Sequence, residues 1–168
     1  AWTGVEHNDV GMHEFIQLCR LLDTEPYIAV NAGLGGVEQA RQQVEYCNGD
    51  ADRPMGRLRA KNGDPEAWNV EWWSIGNEMY GSWQLGHMST EDFVEKHNAF
   101  AGAMRSVDPD IYPVAVGEVG DWDEMILANC ADNMDLISEH FYRQDWHGGG
   151  LMTHVLQIPR SIKGKADA

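Results

Sequence analysis

The stretch WWSIGNEMYG, residues 72–81, joins an apolar run to an amide and a carboxylic acid that stand side by side. Tryptophan and isoleucine are typical of buried strands, whereas Asn77 and Glu78 are not. The pattern indicates the end of a buried strand, where the backbone leaves the sheet and polar side chains can meet a ligand. We therefore predict a strand over residues 70–78, with Asn77 and Glu78 at its carboxyl end.

Apolar runs and helical patterns alternate along the rest of the chain. The other predicted strands are residues 27–31, 111–117 and 134–142. The predicted helices are residues 12–22, 37–48, 90–107 and 122–130, the third of them capped by Thr90. Residues 49–69 are polar and rich in Gly, Pro and Arg, which predicts a long loop. The segment IPRSIKGKADA, residues 158–168, is predicted to fray or to belong to an incomplete further unit.

Continuous apolar strands separated by helices indicate an α/β fold with a parallel sheet. Both an open doubly wound sheet and a barrel fit such a series, and the glycines of NAGLGG, residues 31–36, lack the Gly-x-Gly-x-x-Gly spacing of the former. Polar residues follow several different strands, namely Asn31, Asn77, Glu78, Glu118, His140 and Tyr142. Function spread over several strand ends favours a (β/α)8 TIM barrel. Since a whole barrel needs about 250 residues, we predict a partial barrel that forms one domain over residues 1–168.

The composition limits the classes of partner. A formal net charge of −15 argues against nucleic acid or an anionic membrane surface and fits a neutral substrate. The chain has no run of 18 apolar residues that would predict a membrane-spanning helix. Cys19, Cys47 and Cys130 lack CxxC spacing and lie in predicted helices, so we expect buried free thiols. The histidines lack zinc-site spacings, and we predict neither a metal nor a cofactor.

Glu78 is the strongest candidate for chemistry. A carboxylic acid at the rim of an apolar strand has its charged form disfavoured by burial, which predicts a raised pKa. A raised pKa suits a general acid that works near neutral pH. Asn77 beside it can bind a sugar hydroxyl, and either Trp73 or Trp83 could form a wall of the site.

Several segments resemble the α-L-arabinofuranosidases of glycoside hydrolase family 51. The central one is WWSIGNEMYGSWQLGHMSTEDF, which is similar to the region around the acid/base residue of that family. The others are VEHNDVGMHEFIQLCRLLDTEPYIAVNAGLGG, VEYCNGD, VDPDIYPVAVG and DLISEHFY, in the family's order. The resemblance covers nearly the whole chain and implies strands 3 to 6 of the family's (β/α)8 barrel.

The resemblance also implies roles. Glu78 would be the general acid/base and Asn77 would contact the sugar 2-hydroxyl, while His140 and Tyr142 would be active-site residues that bind substrate. Trp83 is also predicted to bind substrate, because it could form a wall of the site. Such enzymes are retaining, and their nucleophile is a Glu at the end of the seventh strand, which is expected beyond this chain. The implied partner is an arabinose-containing oligosaccharide or polysaccharide. The complete protein could be a homo-oligomer, and a cytoplasmic address is favoured over secretion.

Three departures and alternatives stay open. Glu118 stands where the family has a small polar residue, and it either lies on a solvated rim or touches substrate. Glu139 is expected to face a helix by strand alternation, and Trp146 is a candidate for closing the site. The alternative functions are another barrel glycosidase of the same clan, active on xylan or β-glucan, and a non-catalytic carbohydrate-binding barrel. The chain by itself is expected to be inactive and, because its first residue is Ala1 rather than Met, to start inside a longer product.

Overall fold

The computed structural model describes residues 4–5, 7–142 and 150–167. Within these ranges helices and strands alternate along the chain. In order, they are α1 Met12–Leu22, β1 Tyr27–Val30, α2 Val37–Asn48, α3 Pro54–Lys61, β2 Trp72–Ile75, α4 Thr90–Arg105, β3 Tyr112–Val116, α5 Asp121–Cys130, β4 Leu136–Ser138 and α6 Gly150–Ala166. A 3₁₀ turn at Ala131–Asn133 leads from α5 towards β4.

The four strands form one parallel sheet in the order β1-β2-β3-β4. The register places Val30 beside Ile75, and Val116 beside Ser138. All the strands therefore point their carboxyl ends towards the same edge, where loops that follow different strands can meet. The predicted α/β class with a parallel sheet is confirmed.

One face of the sheet packs into the hydrophobic core. Ile28 and Val30 of β1 alternate with exposed neighbours, and Trp73 and Ile75 of β2 are completely or almost completely buried. Helices α2 and α4 complete this core with Val44, Phe93, Phe100 and Met104, all 0% exposed. Burial of these large apolar side chains is the main favourable term that holds the helices on the sheet.

The opposite face carries a row of aromatic side chains near the amino ends of the strands. Tyr27, Trp72 and Tyr112 are register partners across β1, β2 and β3. The Trp72 and Tyr112 rings stack with centroids 4.8 Å apart. Tyr27 nevertheless stays 50% exposed, and Leu136 on β4 stays 49% exposed. This face is thus rich in large apolar groups that remain accessible.

The prediction of a long loop over residues 49–69 is wrong, because α3 lies inside it. Pro54 occupies the first turn of that helix, a position where its missing N–H is not needed. Arg59 is 0% exposed and donates hydrogen bonds to five backbone carbonyls. The Arg-rich composition that indicated a solvated loop therefore includes an arginine that belongs to the interior.

Some predicted boundaries also differ from the structure. β2 covers only four residues of the predicted strand 70–78, and β4 ends at Ser138 instead of residue 142. α4 is capped by Ser89, not by Thr90, because the Ser89 side chain accepts a hydrogen bond from the Asp92 amide. Residues 158–168, predicted either to fray or to belong to an incomplete further unit, lie largely in α6, which contains Pro159, so the first alternative is wrong.

The three cysteines are free and buried, which confirms the prediction for Cys19, Cys47 and Cys130. Burial raises the pKa of the Cys47 thiol to about 12 and that of Cys130 to about 11. In the part of the chain that the structure describes, no group of three or more His, Cys, Asp or Glu is arranged to hold a metal ion. Of the described helices, none has both the length and the apolar character needed to cross a bilayer.

Candidate functional site

A sharp turn after β2 brings Glu78 out of the sheet. The strand ends at Ile75, and Gly76 follows with φ +87°. A Cβ at Gly76 would lie 2.7 Å from the Met79 sulfur, so the close packing there requires glycine. Glu78 itself has φ +49°, a left-handed conformation that is uncommon for a residue with a side chain. Met79 then returns to the core at 2% exposure.

Three side chains from separate parts of the sequence converge on the Glu78 carboxylate. His140 Nδ1 lies 2.5 Å from Oε1, and the Tyr142 hydroxyl donates to the same oxygen at 3.4 Å. The indole N–H of Trp83 donates to Oε2 at 3.2 Å. The Glu78 side chain is only 14% exposed. Four of the five residues predicted for the site therefore meet at one carboxylate.

The expected raised pKa of Glu78 is wrong for this arrangement. The hydrogen bond with His140 lowers the pKa of Glu78 below its ordinary value, and burial opposes it less strongly. Bonds from Trp83 and Tyr142 act in the same direction as His140. The prediction considered only the apolar strand below Glu78, whereas donors to the charged form outweigh desolvation here.

A cavity of about 410 Å³ opens in front of the carboxylate. It is lined by Glu78, Tyr80, Trp83, Glu118, His140, Tyr142 and Lys165. Tyr80 borders it on the β2 side, and burial, followed by the charges of Glu118 and Glu78, raises the pKa of its hydroxyl. The lining therefore combines aromatic surfaces with several polar groups, as sugar sites and other small-molecule sites do.

Lys165 brings the end of α6 to this cavity. Its ammonium donates to the His140 carbonyl at 2.6 Å and pairs with Glu139 at 2.7 Å. It also lies 3.9 Å from a Glu118 oxygen. The ammonium thus connects the backbone of His140 to two of the acidic side chains around the site.

The two acidic residues left open by the sequence have different surroundings. Glu118 lines the cavity with a side chain that is 46% exposed. Glu139 contacts Lys165 of α6 and Asp123 of α5, in agreement with its expected helix-facing role. Burial and then the Glu139 hydrogen bond raise the pKa of Asp123 to about 6. Glu118 therefore belongs to the cavity, and Glu139 to the contacts behind it.

Asn77 lies beside the main cavity and lines a smaller one of about 150 Å³. Asn31 and Gln84 share this smaller cavity. The Asn31 side-chain oxygen accepts hydrogen bonds from the amides of Leu34 and Gly35, which shapes the loop after β1. Asn77 is thus placed next to Glu78, but it is not one of the groups that contact the carboxylate.

Trp73 and Trp83, the two candidates for a wall of the site, differ in burial and in their contacts. Trp73 is 0% exposed, and its indole N–H donates to the Val70 carbonyl, so it belongs to the core. Trp83 is 70% exposed and contacts Glu78. Trp146, the third candidate, lies outside the described residues.

The sequence interpretation missed Tyr80, Gln84 and Lys165. Tyr80 and Gln84 stand within six residues of Glu78, in the very segment that was singled out, so proximity was the available signal. Lys165 carried no such signal, because its place depends on the folding of α6 against the strand ends. Residues far apart in sequence reach one cavity only through tertiary packing.

Known proteins similar to this chain share one activity in their names. Residues 1–153 match the family model of the α-L-arabinofuranosidase 1 domain. A probable α-L-arabinofuranosidase C of Aspergillus fumigatus is 40% identical over 132 residues, which cover 77% of this chain and 26% of that protein.

Solved structures agree with the sequence comparison. The arabinose complex of an α-L-arabinofuranosidase from Thermotoga maritima superposes with a TM-score of 0.83 at 37% identity, over 95% of this chain and 33% of that one. The thermostable family 51 α-L-arabinofuranosidase of Thermotoga petrophila RKU-1 gives a TM-score of 0.83 at 39% identity, over 96% and 34% of the two chains.

The chain spans about a quarter of the length of the fungal relative and about a third of each of these two bacterial enzymes. Within that span, both the family model and the structural match cover most of its residues. The resemblance inferred from WWSIGNEMYG and its flanking segments is therefore confirmed, and the chain belongs to the α-L-arabinofuranosidases of glycoside hydrolase family 51.

Proposed function

We propose that this chain is part of a retaining glycoside hydrolase that releases terminal α-L-arabinofuranosyl residues, with Glu78 as its general acid/base. The observation that carries the proposal is the convergence of His140, Tyr142 and Trp83 on one carboxylate at the carboxyl ends of parallel strands. A carboxyl group held at a cavity by polar and aromatic groups suits protonation of a glycosidic oxygen. The substrate would be an arabinose-containing oligosaccharide or plant polysaccharide, since a related enzyme was solved with arabinose.

The proposed architecture is strands 3 to 6 of a (β/α)8 barrel, with residues 1–168 as a fragment of one catalytic domain. Two features support it. Among the described strands β1 and β4 are the outer ones of the sheet, and each has one edge without a described partner strand. The accessible aromatic row Tyr27, Trp72 and Tyr112 lies on the face that would point into the barrel, where large side chains fill the interior in layers. On this proposal the chain alone has no turnover.

In the first step, protonated Glu78 donates its proton to the leaving oxygen while a second carboxylate attacks the anomeric carbon. In the second step, ionised Glu78 takes a proton from water, which attacks the anomeric carbon and displaces the carboxylate. The lowered pKa of Glu78 would not suit the first step. A negatively charged nucleophile at about 5–5.5 Å would raise that pKa, because like charges disfavour each other's ionised forms.

We propose that this nucleophile is a Glu from a segment beyond the chain, as in the resemblance. Glu118 is the described carboxylate besides Glu78 that lines the cavity, and Lys165 stands 3.9 Å from it. Glu139 is held by Lys165 at 2.7 Å and is not among the residues that line the cavity. Glu139 therefore lacks the approach to an anomeric carbon in the cavity that a nucleophile needs.

The remaining residues would divide the work of binding. Asn77 would contact the sugar 2-hydroxyl, a contact that strengthens in the transition state of such reactions. His140 and Tyr142 would orient Glu78 as well as touch substrate. Trp83 would offer its exposed ring to the sugar and its N–H to Glu78.

The test compares two leaving groups in the full-length enzyme that contains this chain. Glu78→Ala should lower turnover of natural arabinosides by about 10²–10⁴-fold. Its kcat/KM on aryl arabinofuranosides with good leaving groups should fall far less, because these depart without a proton, whereas the second step, which then lacks its base, limits turnover. Added azide should restore turnover of the aryl substrates and give an arabinosyl azide of the substrate's own anomeric configuration.

Equal losses on both kinds of substrate would remove Glu78 from the acid/base role. If the parent enzyme hydrolyses xylan or β-glucan but no arabinofuranoside, the substrate class is wrong. If it binds arabino-oligosaccharides without hydrolysing any of them, it is a carbohydrate-binding barrel. Turnover of arabinofuranosides is the expected result.

A further inference from the structure

Gln84 stands in a compact loop that starts and ends beside Glu78. The Met88 amide donates to the Met79 carbonyl at 3.0 Å and closes residues 79–88 into this loop. Inside it, the Gln84 side chain turns back towards the end of β2. Its amide nitrogen donates to the Asn77 carbonyl at 2.7 Å and also to the Glu78 carbonyl. The side chain thus spans the backbone on both sides of the Glu78 α-carbon.

The backbone at Glu78 needs such support. Its φ of +49° is a left-handed conformation, which a glutamate adopts only where its surroundings hold it. The Glu78 carbonyl accepts one bond from the Gly81 amide at 2.7 Å and a second from Gln84. Trp83, the residue before Gln84, donates to the carboxylate at the other end of Glu78. Consecutive residues therefore fix the backbone and the carboxylate of one glutamate.

The loop that carries Gln84 is itself anchored to the loop after β1. Gly86 has φ +80°, and a Cβ there would lie 2.6 Å from the Gly33 α-carbon, so the two loops touch backbone to backbone. Lys96 of α4 donates to the Gly33 carbonyl at 3.0 Å. The position of Gln84 is thus set by the loops after β1 and β2 together.

We infer that Gln84 is a positioning residue for the reaction. It holds the left-handed turn at Glu78, and through that turn it aims the carboxylate at the cavity. The inference rests on the proposed role of Glu78 as general acid/base. Without the amide donors of Gln84, the turn relaxes, the carboxylate moves away from Trp83 and His140, and proton transfer to the leaving oxygen fails.

The experiment uses the full-length enzyme with Gln84→Ala, the isosteric Gln84→Glu and, as a control in the same loop, Ser82→Ala, whose side chain is exposed. A displacement of about 1 Å can cost roughly 100-fold in rate. We expect both Gln84 variants to lose about ten- to 100-fold in kcat/KM on aryl arabinofuranosides with poor leaving groups. Their kcat/KM should fall much less on those with good leaving groups, which depart without a proton from Glu78. Ser82→Ala should match the parent on both.

Gln84→Glu supplies a pH signature that a purely structural role would not give. Its carboxylate cannot donate to the two carbonyls, whereas its protonated form can donate to one. Activity relative to the parent should therefore recover as the pH falls in Gln84→Glu, and should not recover in Gln84→Ala. Equal losses on good and poor leaving groups, or no loss at all, would overturn the inference.

Two further measurements separate this inference from the proposed function. If Glu78→Ala itself shows no dependence on the leaving group, the acid/base proposal fails irrespective of Gln84. A crystal structure of Gln84→Glu tests the positioning role without any activity. Glu78 should have left the left-handed region there, and an unchanged turn with the carboxylate still on His140 would refute the role of Gln84.

Discussion

At the amino-terminal end of the strands Arg59 is fully buried and donates to five backbone carbonyls, whereas at the carboxyl-terminal end Glu78 keeps one side towards a cavity. The Arg59 side chain donates to the backbone carbonyls of Tyr46, Cys47, Gly49, Asp64 and Pro65. Glu78 instead receives bonds from side chains whose own positions depend on loops and on α6.

The difference shows that a buried structural residue and a residue proposed for chemistry lie at opposite ends of one sheet. A buried polar group whose partners are all backbone atoms leaves nothing for a ligand, and here it ties α3 to the end of α2 and to the segment before β2. A carboxylate with side-chain donors on one side and a cavity on the other can exchange partners when a substrate enters. In barrel folds the same division places stability at the amino-terminal face and function at the carboxyl-terminal face.

The largest effect on stability should come from removing the five hydrogen bonds of the buried Arg59 side chain. Arg59→Met keeps an unbranched apolar stem but removes every donor, which leaves buried carbonyls without partners. We expect a loss of about 3–5 kcal/mol in the free energy of unfolding. Chemical denaturation of the full-length enzyme measures it, and kcat per folded molecule should stay near that of the parent.

Arg57 of the same helix supplies the matched control, since it is exposed and the single described hydrogen bond of its side chain goes to the Asp52 carbonyl. Arg57→Met should cost no more than about 0.5 kcal/mol. Similar losses in the two variants would mean that the five carbonyl bonds of Arg59 contribute little. A fall in kcat with unchanged stability in Arg59→Met would contradict the proposed division of roles between the two ends of the sheet.

An intermediate effect is expected at His97, a buried polar residue that is only half satisfied. Its Nε2 lies 3.3 Å from the Asn133 carbonyl oxygen, while its Nδ1 is buried without a hydrogen-bond partner. Burial lowers the pKa of His97 from 6.5 to about 4. The unfolded chain therefore takes up the proton first, so the stability contributed by neutral His97 is present above pH 6.5 and is lost as the pH falls towards 4.

A pKa difference of that size corresponds to about 3 kcal/mol of stability lost across this pH window. His97→Gln stays neutral and can still donate to Asn133, so its free energy of unfolding should fall less between pH 6.5 and 4 than that of the parent. Denaturant titrations at several pH values measure the difference. The exposed His87, replaced in the same way, should leave the slope unchanged, and an unchanged slope in His97→Gln would show that His97 is not the group that titrates.

The smallest effect should be a shift in the pH profile at the cavity. The hydrogen bond with His140 is the largest cause of the lowered pKa of Glu78. His140→Phe removes it, so the pKa of Glu78 should rise. A general acid must be protonated to act, and the alkaline limb of kcat/KM should therefore move to higher pH.

Tyr142→Phe makes the comparison sharper, because the Tyr142 bond is longer, at 3.4 Å, and is the smallest of the contributions named for Glu78. In Tyr142→Phe the alkaline limb of kcat/KM should also move to higher pH, but by less than in His140→Phe. A limb that moves to lower pH in His140→Phe, or a larger shift in Tyr142→Phe, would contradict the described order of contacts.

Much of the fold follows from local pattern. The helices at residues 12–22 and 37–48 and the strand at 27–30 agree with prediction within one residue, because a helix and a buried strand each impose their own hydrophobic period. Helix α3 was not predicted because a main buried residue on it is an arginine, and composition cannot distinguish a buried arginine from a solvated one.

The sequence by itself determined the βα order and the family and singled out Glu78 as the candidate for chemistry, since each depends on residues that are close together or on motifs in a fixed order. Only the tertiary structure decided the lowered pKa of Glu78, the presence of Lys165 at its cavity and the contact of Gln84 with its backbone. These depend on distances between groups, and a pKa is set by the donors and charges within a few ångströms, whatever their separation along the chain.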